Sequence, residues 1–248
     1  MITPPLNITR LYGTKLAALD GEIGHIADFY FDDKTWVVRY VVAETGSWLT
    51  GRKVLLSPFA FVTSYQEGTP FPAVVPVKLT REQIEHSPIM DSHLPVSRQY
   101  EISYYHYYGW PSYWEGKWTW GIGSYPVLLP NENPTTGGPE RQHDQEDNHL
   151  RSTRAVDGYS VETYDGTIGH LAGFVGDSKN WTLSGAIIKT GHWHFGKEIL
   201  IATHDIDGIS YQEKKIYVNV TREDIQQTAL DQPVRAGSGD RGAKDFAN

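Results

Sequence analysis

The residue types best suited to chemistry in this chain are its histidines. His192 and His194 flank Trp193, and in an extended segment they share one face because strand side chains alternate. His170 and the pair His204-Asp205 lie nearby in sequence, so a zinc-like metal is the chemistry to weigh. Such a site needs three or four converging ligands. The chain has no cysteine, which removes thiolate ligands, disulfides and cysteine nucleophiles. His170, His192, His194 and His204 are the metal candidates, and polar turn residues around a core tryptophan explain them more simply. Neither a metal nor any other cofactor is expected.

Other candidates read the same way. The neighbouring acids Asp32 and Asp33 could hold a cation, but they fall where a tight turn is needed, and aspartate favours turns. His25 and His170 recur at equivalent places with no recurring nucleophile or carboxylate beside them. Strict alternation puts each on the inner face, whereas a bulge at Gly24 or Gly169 turns it outward; both orientations stay open. No phosphate-binding glycine loop, nucleophile elbow or dinucleotide fingerprint occurs. An enzyme is not expected.

One stretch exceeds what a linker requires. Residues 100–125 hold seven tyrosines and four tryptophans. Tyr104, Tyr105, Tyr107, Tyr108, Trp110, Tyr113, Trp114, Trp118 and Trp120 are candidates for a clasp or an interaction surface. Rings at this density are costly to leave in water, since fully burying one large apolar side chain contributes about 1.5–3 kcal/mol. Packing on the neighbouring domains is the first reading, protein docking the second, and stacking on a sugar or flat cofactor the third.

The elements that position these residues come from a duplication. Asp20–Leu56 and Asp165–Ile201 align without a gap at an offset of 145, sharing Asp20/Asp165, Gly24/Gly169, His25/His170, Phe29/Phe174, Trp36/Trp181 and Trp48/Trp193. Copy one carries Ser47-Trp48-Leu49 where copy two carries His192-Trp193-His194, so the fold does not need that histidine pair. Each copy reads as short strands: Ile23–Phe31, Trp36–Ala43 and Val54–Leu56, then Phe59–Tyr65 and Ala73–Leu79. In copy two the last pair is Ile206–Tyr211 and Ile216–Val220. Thr80-Arg81-Glu82-Gln83 and Thr221-Arg222-Glu223-Asp224 read as helix starts with a threonine cap. The fold class is all-β: two small barrels of five to six strands, each with a short C-terminal helical turn. The domains predicted are 9–90 and 152–230, an aromatic and acidic connector at 91–151, and a disordered tail at 231–248.

The pattern D-G-x-I-G-x-(I/L)-x-x-F-x-x-D-x-K-x-W, then T-G-x-W-x-x-G-(R/K)-x-(V/I)-L, then T-R-E-x-I resembles the PRC-barrel family. That family is named for the cytoplasmic domain of the photosynthetic reaction centre H subunit and includes a ribosome maturation factor. The resemblance implies two tandem PRC-like barrels. It also implies a non-enzymatic adaptor or accessory role through protein contacts, at the cytoplasmic face of a membrane complex of the electron-transfer type. An RNA-linked assembly factor and a small-ligand or metal-binding sensor are the alternatives. The net charge of -8 opposes nucleic acid, because phosphate neutralisation needs a basic face. No apolar run approaches the ~20 residues of a membrane helix, and MITPPLNITR lacks the features of a secretory signal. A cytoplasmic protein is expected, with a protein partner or homo-oligomer and, through a partner, peripheral association with a membrane.

Overall fold

Short strands bounded by glycine and aspartate turns make up most of the molecule, whose computed structural model describes residues 6–62, 72–89, 96–121, 123–128, 150–191 and 197–225. The first half contains β1 (Leu6–Asn7), β2 (Lys15–Ala18), β3 (Gly21–Asp32), β4 (Val38–Glu44), β5 (Lys53–Leu56), β6 (Val74–Pro76) and helix α1 (Arg81–Glu85). The connector supplies helix α2 (Arg98–Tyr108). The second half contains β7 (Leu150–Ser152), β8 (Ser160–Thr163), β9 (Gly166–Gly176), β10 (Leu183–Thr190), β11 (Glu198–Ala202), β12 (Ile206–Ser210) and β13 (Lys215–Val218).

Hydrogen bonding sorts these strands into two mixed sheets. Their orders are β5-β4-β3-β2-β6 and β11-β10-β9-β8-β13-β12. β2 with β6 and β8 with β13 are parallel, while the other neighbours are antiparallel. In each sheet one stretch of chain leads back from the outer hairpin towards the far edge. After β5 the 3-10 turn Pro58–Ala60 delivers Phe61 to a bridge with Val77, and after β11 the turn Thr203–Asp205 enters β12. Among the described residues no ladder closes either sheet into a barrel. The molecule is therefore mostly β with few helices, in two mixed sheets rather than two demonstrated barrels.

Two strand expectations change. The strand predicted at Phe59–Tyr65 is instead that 3-10 turn and a single bridge, with residues 63–71 outside the described set. Pro58 has no amide to give a ladder and suits the first turn of a helix. The strand predicted from Trp36 starts at Val38, because Trp36 has φ 58° and its equivalent Trp181 has φ 61°. Asp32 accepts from the amides of Lys34 and Thr35 at 2.9 Å, and the Trp36 amide donates to the Asp32 carbonyl at 2.8 Å. That tight turn needs one left-handed residue before the chain re-enters the sheet. A non-glycine residue in that conformation costs about 1–2 kcal/mol.

The two halves exchange their lead-in strands. β1 pairs with β9 (Leu6 opposite Gly176) and β7 pairs with β3 (Arg151 opposite Phe31). Those pairs are related by the repeat offset, so the exchange is reciprocal. A bridge between Val37 and Thr182, themselves equivalent positions, lies where the halves meet. The core is correspondingly shared, with Ile23, Phe29 and Phe31 in one buried cluster with Ile168, Phe174 and Leu183. Thr80 and Gln83 form a reciprocal capping box at α1. Thr221 and Asp224 repeat it at residues 222–225.

Candidate functional site

The aromatic connector is the most elaborate feature outside the repeats. Ser97 caps α2 by accepting from the Tyr100 amide, and Gly109, at φ 64°, ends it while Trp110 donates back to the Tyr105 carbonyl. Between the caps, Glu101, Tyr104 and Tyr105 are buried, and Tyr108 continues the same face one turn on. That face lies on β4, β5 and the Pro58–Ala60 turn. Tyr104 meets Tyr40 edge-on at 5.3 Å, and Phe59 sits among Tyr105, Trp110 and Trp120.

Polar atoms set the geometry of this packing. The Tyr104 hydroxyl donates to the Leu55 carbonyl and accepts from the Ser57 amide, both at 3.0 Å. β5 is the edge of its sheet, so Tyr104 occupies backbone groups that an edge would otherwise offer to another chain. Glu101 is 0% exposed. Its Oε1 accepts from Tyr40 at 3.0 Å and from Tyr113 at 2.7 Å, and Arg98 lies 2.8 Å from Oε2. Arg39, also buried, stacks over Tyr113 at 3.9 Å and donates to the Thr119 carbonyl at 2.6 Å. Burial pushes the Tyr40, Tyr104 and Tyr113 hydroxyls well above the ordinary tyrosine range, with nearby Glu101 adding to this for Tyr40 and Tyr113. Tyr108 is pushed up to about 12, again mainly by burial. These hydroxyls are held neutral as hydrogen-bond donors and acceptors.

The nine aromatic candidates therefore divide. Tyr104, Tyr105, Trp110, Tyr113 and Trp120 are buried, and Tyr108 and Trp114 are partly buried against them. Trp120 reaches the other half, donating from its indole nitrogen to the Asn180 carbonyl at 3.0 Å. Tyr107 and Trp118 are exposed, Trp118 at 62%.

The described histidines do not converge. His25 faces solvent 3.7 Å from Glu44, and His170 is also exposed. The bulges supply the reason, since the registers of β2 with β3 and of β8 with β9 shift at Ile23 and Ile168. His204 is exposed beside Asp205 at 3.5 Å. His192 and His194 lie outside the described residues. Among the described residues no three histidine, aspartate or glutamate side chains group in a way that could hold a metal.

Two contacts between the halves escaped the sequence reading. Asp32 does serve its turn, but Asp33 accepts from Arg151 at 2.8 Å and from the Tyr211 hydroxyl at 3.0 Å, with Arg151 lying over the Tyr211 ring. Asp28 accepts from Thr153 at 2.9 Å and from Ser152, tying β3 to the start of the second half. Copy two has Ser178 and Gly173 at these places, so the signal available was a departure from the repeat.

No family model matches the chain, and no curated protein matches it. No helix is long and apolar enough to cross a membrane among the described residues.

Proposed function

We propose that the protein is a non-enzymatic adaptor or accessory factor, built from two PRC-like barrels and acting through a protein partner or a second copy of itself. The observation that carries this is the outer surface of the connector. Ile102, Tyr107, Trp118, Tyr125, Val127 and Leu128 are half of the exposed large hydrophobic residues among the described residues. The connector's inner rings are packed into the core, whereas these outer ones are exposed and lie outside it. Exposed Tyr and Trp are the residues enriched in binding hot spots. The likeness of both repeats to the PRC-barrel pattern supports the barrel reading, with the turns at Pro58–Ala60 and Thr203–Asp205 as closing corners. It also supports a place at the cytoplasmic face of a membrane complex. The acidic balance, -8 overall, favours a protein partner over RNA.

The test is affinity purification from the native organism with wild type and with Trp118→Asp together with Leu128→Asp. A partner, or self-association, that is present with wild type and lost in the double variant is expected. If the variant retains the same partners and mass, the outer connector is not the docking surface.

A further inference from the structure

Among the described residues the two sheet orders end on β5, β6, β11 and β12. An outer strand offers its unpaired backbone to another chain unless something blunts it. On β5 the Tyr104 hydroxyl takes up the outward groups. β6 contains Pro76, which has no amide to offer, and the chain runs on from it into the Phe61–Val77 bridge. β12 breaks register against β13 between Ile206 and Gly208. β11 has none of these devices. It holds neither proline nor glycine, and its register with β10 is unbroken from Glu198 opposite Lys189 to Ala202 opposite Gly185.

The direction of its backbone groups follows from one bond. The Thr190 amide donates to the Lys197 carbonyl at 2.9 Å, so Lys197 turns its peptide groups towards β10. Residues of an antiparallel strand alternate in this respect, so Ile199 and Ile201 do the same, while Glu198, Leu200 and Ala202 turn theirs away. The first half has the same parity. Leu200 and Ala202 are equivalent to Leu55 and Ser57, whose carbonyl and amide meet the Tyr104 hydroxyl. In the second half no described group takes up these outward positions. The side chains differ likewise. Leu55 is 2% exposed, whereas Leu200 is 51% exposed and lies over Gly185, the equivalent of Tyr40.

We infer that β11 is a self-association edge, pairing antiparallel with β11 of a second copy of this chain, with Leu200 opposite Leu200 on a two-fold axis. The strand is self-complementary in that register. Each Leu200 exchanges both backbone bonds with its counterpart, and Glu198 exchanges both with the second copy's Ala202. Glu198 carries the strand's one charged side chain, and it then faces an alanine rather than a like charge. Ile187 stands opposite Leu200 on β10, so Ile187 and Leu200 of both copies form one aliphatic row across the axis. The surrounding charges balance, with Lys189 and Lys197 against Glu198 and Asp205, so the net charge of -8 is not concentrated here. The backbone bonds would serve any strand. The leucine at the axis and the alanine facing the glutamate select a second β11. This edge is separate from the connector's outer face, and the inference does not rest on that face.

The test is sedimentation velocity of the full chain over a concentration series, which is expected to show a reversible dimer. Leu200→Lys sets like charges against each other at the axis and leaves the inward ladder alone, so the dimer Kd rises about tenfold or more. Trp118→Asp with Leu128→Asp leaves it unchanged. The chain has no cysteine, so Leu200→Cys supplies a single thiol. Opposite residues that exchange both bonds stand about 5.5 Å apart at Cα, within disulfide reach. Diamide is therefore expected to link two Leu200→Cys chains readily and Tyr164→Cys, a more exposed position, poorly. The inference is overturned if wild type is monomeric throughout, or if Leu200→Lys, with its Tm retained, dimerises as wild type does. A dimer lost in the connector double variant and kept in Leu200→Lys assigns self-association to the connector and overturns it too. Leu200→Cys linking no faster than Tyr164→Cys overturns the register.

Discussion

Val37 and Thr182 stand at equivalent places in the two repeats, and they bridge each other. Around that bridge the Trp36 carbonyl accepts from the Leu183 amide at 2.7 Å and the Trp181 carbonyl from the Val38 amide at 2.8 Å. Contact between identical positions is the signature of a two-fold axis, as in an isologous dimer. Here the two subunits are one chain, and the exchanged strands β1 and β7 repeat the same relationship away from the axis.

Cutting the connector is therefore expected to leave the halves together. A protease site inserted between residues 138 and 139 and then cleaved should give a particle that keeps the native mass of the uncut variant, per chain the 28.0 kDa of the sequence plus the inserted site. Backbone pairing, the shared core, and the Asp33–Arg151 and Asp28–Thr153 contacts all bypass the cut. Separation into two half-mass species without denaturant would show that the connector, not the two-fold contact, holds the molecule.

Tyr104→Phe removes one oxygen and leaves the Leu55 carbonyl and the Ser57 amide at a buried edge without their partner. Stability should fall by about 1–3 kcal/mol, the cost of unsatisfied buried groups. Tyr107→Phe is the control. Its hydroxyl bonds the Gln83 carbonyl at an exposed site, where changes stay within about 0.5 kcal/mol. Urea midpoints decide it, and equal midpoints for the two variants would remove the edge-covering role of Tyr104.

How far the sequence could be read follows the kind of interaction involved. Local chemistry was legible. The Asp32 turn, the Thr80–Gln83 capping box and the outer strands of each hairpin follow from residue types a few positions apart. Helix α2 is not legible from periodicity because tyrosines stand on both its buried and its exposed sides, which flattens the apolar pattern. Ser97, the buried set Glu101, Tyr104, Tyr105, and Gly109 as terminator spell a capped helix. The two-fold contact was out of reach for a different reason. A repeat states that two units exist, but whether their lead-in strands stay home or exchange depends on long-range pairing. Asp33 and Asp28 look like turn and surface acids until Arg151 and Thr153, more than a hundred residues away, are placed beside them.

Alkaline pH should unfold the protein cooperatively. In the unfolded chain tyrosine ionises near pH 10. In the native state burial holds Tyr12 and Tyr108 up to about 12 and Tyr40, Tyr104 and Tyr113 well above the ordinary value. The unfolded state thus releases protons first. Stability from these groups is intact below pH about 10 and is lost as pH climbs through the raised native values. Tyrosinate absorbance from the buried set should appear together with loss of native circular dichroism. Smooth ionisation of these tyrosines with the native signal retained would contradict the burial argument.

Gly24 and Gly169 give the sharpest contrast among the glycines. A Cβ at Gly24 would lie 1.9 Å from the Glu44 carbonyl oxygen, and one at Gly169 2.2 Å from the Lys189 carbonyl oxygen. Both positions also have positive φ, 119° and 156°. The obstacle is backbone in the adjoining ladder, so relief requires β3 to leave β4 beside His25, or β9 to leave β10 beside His170. Gly24→Ala and Gly169→Ala should each cost about 3 kcal/mol or more. Gly208→Ala meets nothing within 4 Å and should be neutral, or stabilising by about 0.4–1 kcal/mol through the unfolded chain. Chemical denaturation of the three variants checks this. If Gly24→Ala is as stable as Gly208→Ala, β3 is not held to β4 by close backbone approach there, and the glycine shared by the two repeats needs another explanation than the fold.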